Sequence, residues 1–220
     1  KRLTNMNRLI TFGCSYTQGI GLDGLDHWAH KNYHGTKESV LKIKSASKDA
    51  WPHLLADQLG LECINLGRGG NSPKYVFQMI REFDFQKTDI VVIQWPQPDR
   101  HVIWKDGVEG YEPLLEIAST NGYAEEYFKS YHTDFDSYYT NALLIENINA
   151  YLKDRCDQVH HVSDTNEMSE NKILSKSFPI LSEVGTFFNQ YHFNDLCDDG
   201  HPGKTYHNAF ATRIKEKIQS

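Results

Sequence analysis

The chain lacks the long apolar runs, the basic clusters and the cysteine spacings that mark several large classes of protein. It has no stretch of about 18 apolar residues, so no membrane-spanning helix is expected. With 23 Lys and Arg against 29 Asp and Glu, its formal net charge is −6. This balance argues against nucleic-acid binding, because non-specific affinity for a phosphate backbone comes from clustered basic side chains. The cysteines contain no Cys-x-x-Cys pair, so neither a zinc knuckle nor a disulfide framework is indicated: Cys14, Cys63, Cys156 and Cys197.

The amino-terminal segment also lacks the charged, apolar and small-residue succession of a secretory signal. Met6 is expected to be the natural start, with residues 1–5 a remnant or upstream extension that carries no function. We therefore expect a soluble protein with reduced thiols, cytoplasmic by default. The sequence leaves the compartment and the oligomeric state undecided.

What is present is the composition of an ordinary folded domain. Hydrophobic residues make up 39% of the chain, aromatic residues 12% and charged residues 24%. A length of 220 residues suits one compact α/β domain and is short for two. We predict a single domain over residues 1–220, without internal repeats or a low-complexity linker.

Strand-like and helix-like segments alternate along the sequence. Short apolar and β-branched runs predict strands at 9–12, 62–66, 89–95 and 158–162. Helical spacing of apolar residues predicts helices at about 50–59, 73–85, 135–153 and 203–218. This alternation favours an α/β fold, a three-layer α/β/α sandwich around a doubly wound, flavodoxin-like parallel sheet.

Three stretches lack sustained periodicity: 20–48, 96–134 and 164–193. The middle one is rich in Gly, Tyr and charged residues. We interpret residues 96–134 as an insertion over the carboxyl edge of the sheet, where loops commonly shape pockets.

Polar segments follow the first three predicted strands, at 13–17, 67–72 and 94–100. Because ligands collect at the carboxyl ends of strands in an open parallel sheet, these segments are expected to converge on one crevice. A fourth segment, 198–202, precedes the last helix and brings an acid and an imidazole. A hydroxyl, a base, a carboxylate and backbone N–H donors are the parts of an acyl-transfer site.

The motifs in these segments resemble those of the SGNH, or GDSL-type, hydrolase superfamily. The resemblance lies in Gly13-Cys14-Ser15, in Asn65-x-Gly67-x-x-Gly70-Asn71-Ser72 and in Asp198-x-x-His201. It implies that Ser15 is the nucleophile, that His201 is the general base and that Asp198 orients His201. It also implies that the backbone N–H groups of Ser15 and Gly70 bind the oxyanion.

The activity implied by the resemblance is ester hydrolysis through an acyl-enzyme, with no cofactor. The family includes lipases, thioesterases, arylesterases and carbohydrate O-deacetylases, and some relatives transfer acetyl groups instead. The expected partner is therefore a small-molecule, lipid or glycan ester, and an acyltransferase of the same fold is an alternative. The acyl group and the alcohol stay open.

The third motif of the family departs from its usual pattern in this chain. Gly-x-Asn-Asp usually follows the third strand and its Asn side chain is a further oxyanion donor, but here residues 94–100 read Gln-Trp-Pro-Gln-Pro-Asp-Arg. We expect Gln97 to replace the missing Asn, with Gln94 as a second option. Losing one oxyanion donor costs roughly 100- to 1,000-fold in turnover in a protease. A weakly active or inactive binding module of the same fold is therefore an alternative.

Other interpretations apply to the same residues. Asp195 and Asp199 are alternative acids, and acidic residues near 198 also suit the cap of the last helix. Cys14 beside the serine is interpreted as a small buried residue and not as a nucleophile. A flavodoxin-like flavin protein, in which 15–17 would hold a phosphate, leaves His201 unexplained.

Two histidine pairs and two arginines have weaker functional interpretations. The His27 to His30 segment, with acids nearby, and His160-His161 lack the spacing and third ligand of a zinc site, so no metal is expected. Arg68 and Arg100 flank the expected crevice, either as contacts for an anionic or sugar substrate or as ordinary surface ion-pair partners.

Overall fold

Strands and helices alternate along the chain in the computed structural model, which describes residues 7–22, 46–104, 111–114, 123–163, 195–198 and 200–220. The elements of the first half are β1 (Arg8–Gly13), α1 (Ser15–Gln18), α2 (Trp51–Leu59), β2 (Glu62–Gly67), α3 (Pro73–Glu82) and β3 (Ile90–Gln94). Those of the second half are β4 (His101–Trp104), β5 (Tyr111–Leu114), α4 (Tyr123–Ser130), α5 (Asp134–Leu152), β6 (Gln158–Val162) and α6 (Lys204–Gln219). No helix in these ranges is long and apolar enough to cross a membrane.

The main sheet contains four parallel strands in the order β2-β1-β3-β6. β1 is central and pairs with both neighbours, so Phe12 lies beside Leu66 on one side and Ile93 on the other. This arrangement confirms the predicted α/β class with a parallel sheet. It also brings the carboxyl ends of β1, β2 and β3 to one edge.

Helices cover both faces of this sheet. Alternate strand residues such as Phe12 and Ile93 face α3 and α5, whereas Leu9 and Val92 face α2 and α6. Several of the largest core side chains belong to the second pair of helices, α2 and α6, and pack against the sheet: Trp51, Tyr206 and Phe210. Burying an apolar side chain of this size stabilises the fold by about 1.5–3 kcal/mol. The predicted three-layer α/β/α arrangement is confirmed.

Local capping explains where the helices begin and end. The Ser72 hydroxyl accepts a 3.3 Å hydrogen bond from the Tyr75 N–H, and Pro73 occupies the first turn of α3, as the sequence predicted. This helix ends at Glu82, before the predicted 85, because Phe83 adopts an extended backbone. Thr133 caps α5 in the same way as Ser72, accepting from the Asp136 N–H at 3.1 Å.

The structure adds regular elements where the sequence predicted none. Within 96–134, β4 and β5 pair as an antiparallel hairpin and α4 follows. β4 and β5 have only four residues each, β5 contains Pro113, which argues against a strand, and α4 makes barely two helical turns. α1 was missed for the same reason. Most of 20–48 and 164–193 lies outside the described residues.

Candidate active site

Ser15 lies where β1 turns into α1, at the carboxyl edge of the sheet. It is the first residue of α1, and only 5% of it is exposed. Gly13 makes this sharp turn possible: a Cβ at Gly13 would lie 2.0 Å from Thr17 Oγ1 and 2.9 Å from the Gln94 carbonyl oxygen. No side chain fits there, so the chain folds back tightly and presents Ser15 at the top of the central strand.

The glycine turn after β2 lies beside Ser15. A Cβ built on Gly69 would be 3.9 Å from Ser15 Cβ. The Gly69 N–H donates to Gln18 Oε1 at 2.7 Å, so this group is already bound within the protein. Gly70 has a left-handed φ of 71°, and no atom of the described residues, its chain neighbours apart, lies within 4 Å of a Cβ built there. Of the two glycines, Gly70 is therefore the one with room for a ligand.

Two asparagines hold this turn against β1 and α1. Asn71 Nδ2 donates to the Gly13 carbonyl at 3.0 Å. Asn65 Nδ2 donates to the Thr17 carbonyl at 2.7 Å, and its Oδ1 accepts from the Gly67 N–H at 2.9 Å. No role was predicted for these two amides from the sequence, although both belong to the second motif. They fix the distance between the turn that carries Ser15 and the glycine turn.

The two glutamines considered as oxyanion donors occupy different environments. Gln94 is fully buried, and its Oε1 accepts from Thr17 Oγ1 at 2.6 Å and from Trp51 Nε1 at 2.9 Å. Its Nε2 is buried, and no hydrogen-bond partner for it occurs among the described residues. Gln97 is exposed, and its Oε1 accepts from Arg100 at 3.2 and 3.1 Å. Gln94 therefore joins elements of the core, whereas the Gln97 amide faces solvent.

The His201 ring contacts the ring of Tyr16, the residue that follows Ser15. The ring centroids of Tyr16 and His201 lie 5.7 Å apart, and the ring planes meet at 80°. His201 is half-buried and lies just before α6. Its carbonyl oxygen accepts from the Cys197 N–H at 2.8 Å, which closes the loop around Asp198. Residues from opposite ends of the sequence thus meet at one edge of the sheet.

The two described carboxylates of this loop differ in their surroundings. Asp198 is exposed, and no hydrogen bond joins it to His201 among the residues that the structure describes. Asp195 Oδ2 accepts from the Thr205 N–H at 2.5 Å and so caps α6, while its Oδ1 is buried and has no hydrogen-bond partner within the described ranges. Asp199, the third candidate acid, lies outside the described residues.

The arginines near the site contact neighbours within their own segments. Arg68 is 6% exposed and its Nη1 donates to the Tyr75 hydroxyl at 2.8 Å. Arg100 binds the Gln97 amide, as described above. These contacts leave both interpretations of the arginines, substrate contact and surface ion pair, as predictions.

Two buried histidines serve as hydrogen-bond acceptors for tryptophans. His161 Nδ1 accepts from Trp95 Nε1 at 3.0 Å, and His207 Nδ1 accepts from the Trp51 backbone N–H at 3.1 Å. Burial lowers the pKa of each imidazole to about 4, so both are neutral at pH 7. No cluster of three potential metal-binding side chains occurs within the described ranges. The His27 to His30 segment lies outside them.

No disulfide bond joins the four cysteines, all of which the structure describes. Burial raises the pKa of the Cys63 thiol to about 12 and that of Cys156 to about 11. Cys14 is 3% exposed. Burial therefore disfavours the reactive thiolate form of Cys63 and Cys156.

Known structures share this fold at low sequence identity. The α/β hydrolase LAE5 from the metagenome of Lake Arreo, Spain, is 14% identical, with 97% of this chain and 95% of that chain covered and a TM-score of 0.55. Axe2, an acetylxylan esterase from Geobacillus stearothermophilus, is 13% identical, with 97% and 94% covered and a TM-score of 0.53. A G-D-S-L family protein from Desulfitobacterium hafniense DCB-2 is 10% identical, with 96% and 98% covered and a TM-score of 0.50.

No protein-family model and no curated protein sequence matches the chain. The structural similarities nevertheless extend over almost the whole chain. The protein has the SGNH/GDSL hydrolase fold, as its motifs predicted.

Proposed function

We propose that this protein is a serine hydrolase that cleaves a carboxylic ester through an acyl-enzyme on Ser15. The observation that carries the proposal is the meeting of three parts at the carboxyl edge of the sheet. Ser15 lies at the end of the central strand, the Gly69-Gly70 turn lies beside it, and Tyr16 contacts the imidazole of His201. A nucleophile, a base and backbone N–H donors are the groups that acyl transfer needs.

In the proposed reaction, Ser15 Oγ attacks the ester carbonyl carbon while His201 accepts the hydroxyl proton. The backbone N–H groups of Ser15 and Gly70 stabilise the oxyanion, and the Gln97 amide is the proposed third donor. His201 then protonates the leaving alcohol, and the acyl-enzyme remains. Water activated by His201 hydrolyses the acyl-enzyme and restores Ser15.

Asp198 is the proposed acid that orients His201 and stabilises its imidazolium form. Its support is its position three residues before His201, in a short loop closed by the Cys197 to His201 hydrogen bond. Its exposed carboxylate must move onto the imidazole in the working enzyme, since the described contacts do not include that bond. Asp195 is the competing acid because one of its oxygens is buried and accepts no hydrogen bond from the part of the chain that the structure describes.

The proposed substrate is an O-acetylated carbohydrate or another small ester. Axe2 is an acetylxylan esterase. A carbohydrate esterase family 2 enzyme with a carbohydrate-binding domain, from Corynascus thermopiles, is 14% identical, with 96% of this chain and 65% of that chain covered and a TM-score of 0.54. The shared fold makes this substrate class the first to test.

A catalytically weak or inactive binding module is the second candidate function. It is favoured by two observations together: Gln97 stands in place of the usual Asn, and no hydrogen bond joins Asp198 to His201 in the described part of the chain. An acyltransferase would differ from a hydrolase only in the acceptor of the acyl group. Adding alcohol or sugar acceptors to the assay separates transfer from hydrolysis.

Hydrolysis of p-nitrophenyl acetate and butyrate by the wild type and Ser15→Ala tests the proposal, together with fluorophosphonate labelling and intact mass. We expect the wild type to turn over and to gain one adduct, and Ser15→Ala to do neither. Cys14→Ala is the matched control, since it alters the adjacent residue and should retain both properties. A wild type that neither reacts nor labels would favour the binding module.

A further inference from the structure

Tyr16 connects the Ser15 turn of the candidate site with His201. It follows Ser15 directly in α1, and its ring meets the His201 ring nearly at right angles, with centroids 5.7 Å apart. The same tyrosine contacts Tyr206 of α6 at 6.2 Å, with the planes at 73°. It therefore lies between the proposed nucleophile and the helix that follows the proposed base.

A column of aromatic rings supports Tyr16 from the core. Tyr206 is fully buried and stacks on Phe210 with centroids 5.6 Å apart and planes at 12°. Phe210 meets Trp51 edge-to-face at 5.3 Å. Trp51 Nε1 then donates to Gln94 Oε1, which also binds Thr17 of α1. This chain of contacts therefore begins at Tyr16 and ends at Thr17, which lies in the same helix, α1.

We infer that Tyr16 is a positioning residue, which holds the imidazole of His201 in the orientation that the proposed base needs. The inference rests on the proposed roles of Ser15 and His201. An imidazole on a loop rotates about two side-chain bonds, and a fixed ring beside it favours one of the resulting orientations. An edge-to-face aromatic contact is strong enough to raise the population of that orientation by about three- to tenfold. The ring makes this contact, so the tyrosine hydroxyl is not required for it.

Kinetics of Tyr16→Leu and Tyr16→Phe test this role. We expect Tyr16→Leu to lower kcat for p-nitrophenyl acetate, and the rate of fluorophosphonate labelling, by about three- to tenfold, with KM changed less than about twofold. Tyr16→Phe should keep both kcat and the labelling rate at the wild-type values. Tyr151→Leu is the matched control, because it removes another half-buried tyrosine far along the chain, in α5. Wild-type rates in Tyr16→Leu, or an equal loss in Tyr16→Phe, would overturn the inference.

An NMR measurement decides the same point without catalysis. The carbon-bound ring protons of His201, assigned with His201→Gln, should carry a ring-current shift in the wild type and in Tyr16→Phe. In Tyr16→Leu they should move towards the values of free histidine. Unchanged His201 signals in Tyr16→Leu would refute the contact. A wild type that keeps the shift but neither hydrolyses esters nor labels would refute the proposed function and leave the orientation by Tyr16 established.

Discussion

Oε1 of Gln94 accepts a 2.6 Å hydrogen bond from Thr17 Oγ1, which joins the last residue of β3 to the helix that carries Ser15. The same oxygen accepts from Trp51 Nε1 of α2. A single buried acceptor thus connects a strand with two helices beneath the candidate site. Both donors are buried, so neither can turn to water if the acceptor is removed.

Replacing Gln94 with Leu should destabilise the fold. Thr17 and Trp51 would each lose a buried acceptor, and an unsatisfied buried donor costs about 1–3 kcal/mol. We expect the free energy of unfolding in urea to fall by about 2–4 kcal/mol. Gln97→Leu is the control, because Gln97 is exposed and contacts Arg100, and it should change stability by less than about 0.5 kcal/mol. Equal unfolding midpoints for Gln94→Leu and the wild type would contradict this.

Gln97→Ala tests the third oxyanion donor. If the Gln97 amide stabilises the oxyanion, kcat should fall by roughly 100-fold while the urea midpoint stays the same. Arg100→Ala removes the guanidinium that binds the Gln97 carbonyl but leaves the amide N–H groups, so most activity should remain. An unchanged kcat in Gln97→Ala would mean that Gln97 does not serve as a donor.

Alanine substitutions of Asp195 and Asp198 should have different effects, the first mainly on stability and the second mainly on catalysis. Asp195→Ala removes the cap on the Thr205 N–H, and we expect a loss of about 1 kcal/mol in the free energy of unfolding with kcat changed a few-fold. Asp198→Ala should leave stability almost unchanged, because Asp198 is exposed, and lower kcat by about 10³–10⁴-fold. If kcat instead fell strongly in Asp195→Ala and only slightly in Asp198→Ala, Asp195 would be the acid that orients His201.

The stability of the fold should decrease in mild acid. Burial lowers the pKa of His161 to about 4 in the folded state, against about 6.5 when unfolded. Below pH 6.5 the unfolded chain therefore binds more protons, and stability is lost as the pH falls from 6.5 to 4. His161→Gln keeps an acceptor for Trp95 but does not titrate. Between pH 7 and pH 5 its free energy of unfolding should therefore decrease by about 1–2 kcal/mol less than that of the wild type. Parallel pH profiles for the two proteins would exclude this contribution.

The order of elements was predictable because their signals are local. Apolar β-branched runs marked the strands, and Ser72 followed by Pro73 marked the start of α3. The elements β4, β5 and α4 were missed because the two strands have only four residues each, one of them with a proline, and the helix makes barely two turns. The position of β1 between β2 and β3 required pairing information that no local pattern contains.

The proximity of Ser15 to the Gly69-Gly70 turn was predictable from a general property of parallel sheets, whose strands end at one edge. Side-chain contacts across the sequence were not. The contact between Tyr16 and His201 depends on how α6 packs against α2. The burial of Gln94 and the exposure of Gln97 depend on where β3 ends, since both residues have the same side chain and lie only three positions apart.

The placement of Ser15 after the first strand and of His201 before the last described helix has a consequence for biosynthesis. A chain emerging from the ribosome displays the serine early, while the imidazole arrives after nearly every other described element. β1 must also wait for both β2 and β3 before its two edges are paired. A growing polypeptide of this kind therefore carries the Ser15 hydroxyl without its proposed base until residue 201 has been synthesised, and any esterase activity begins only after that point.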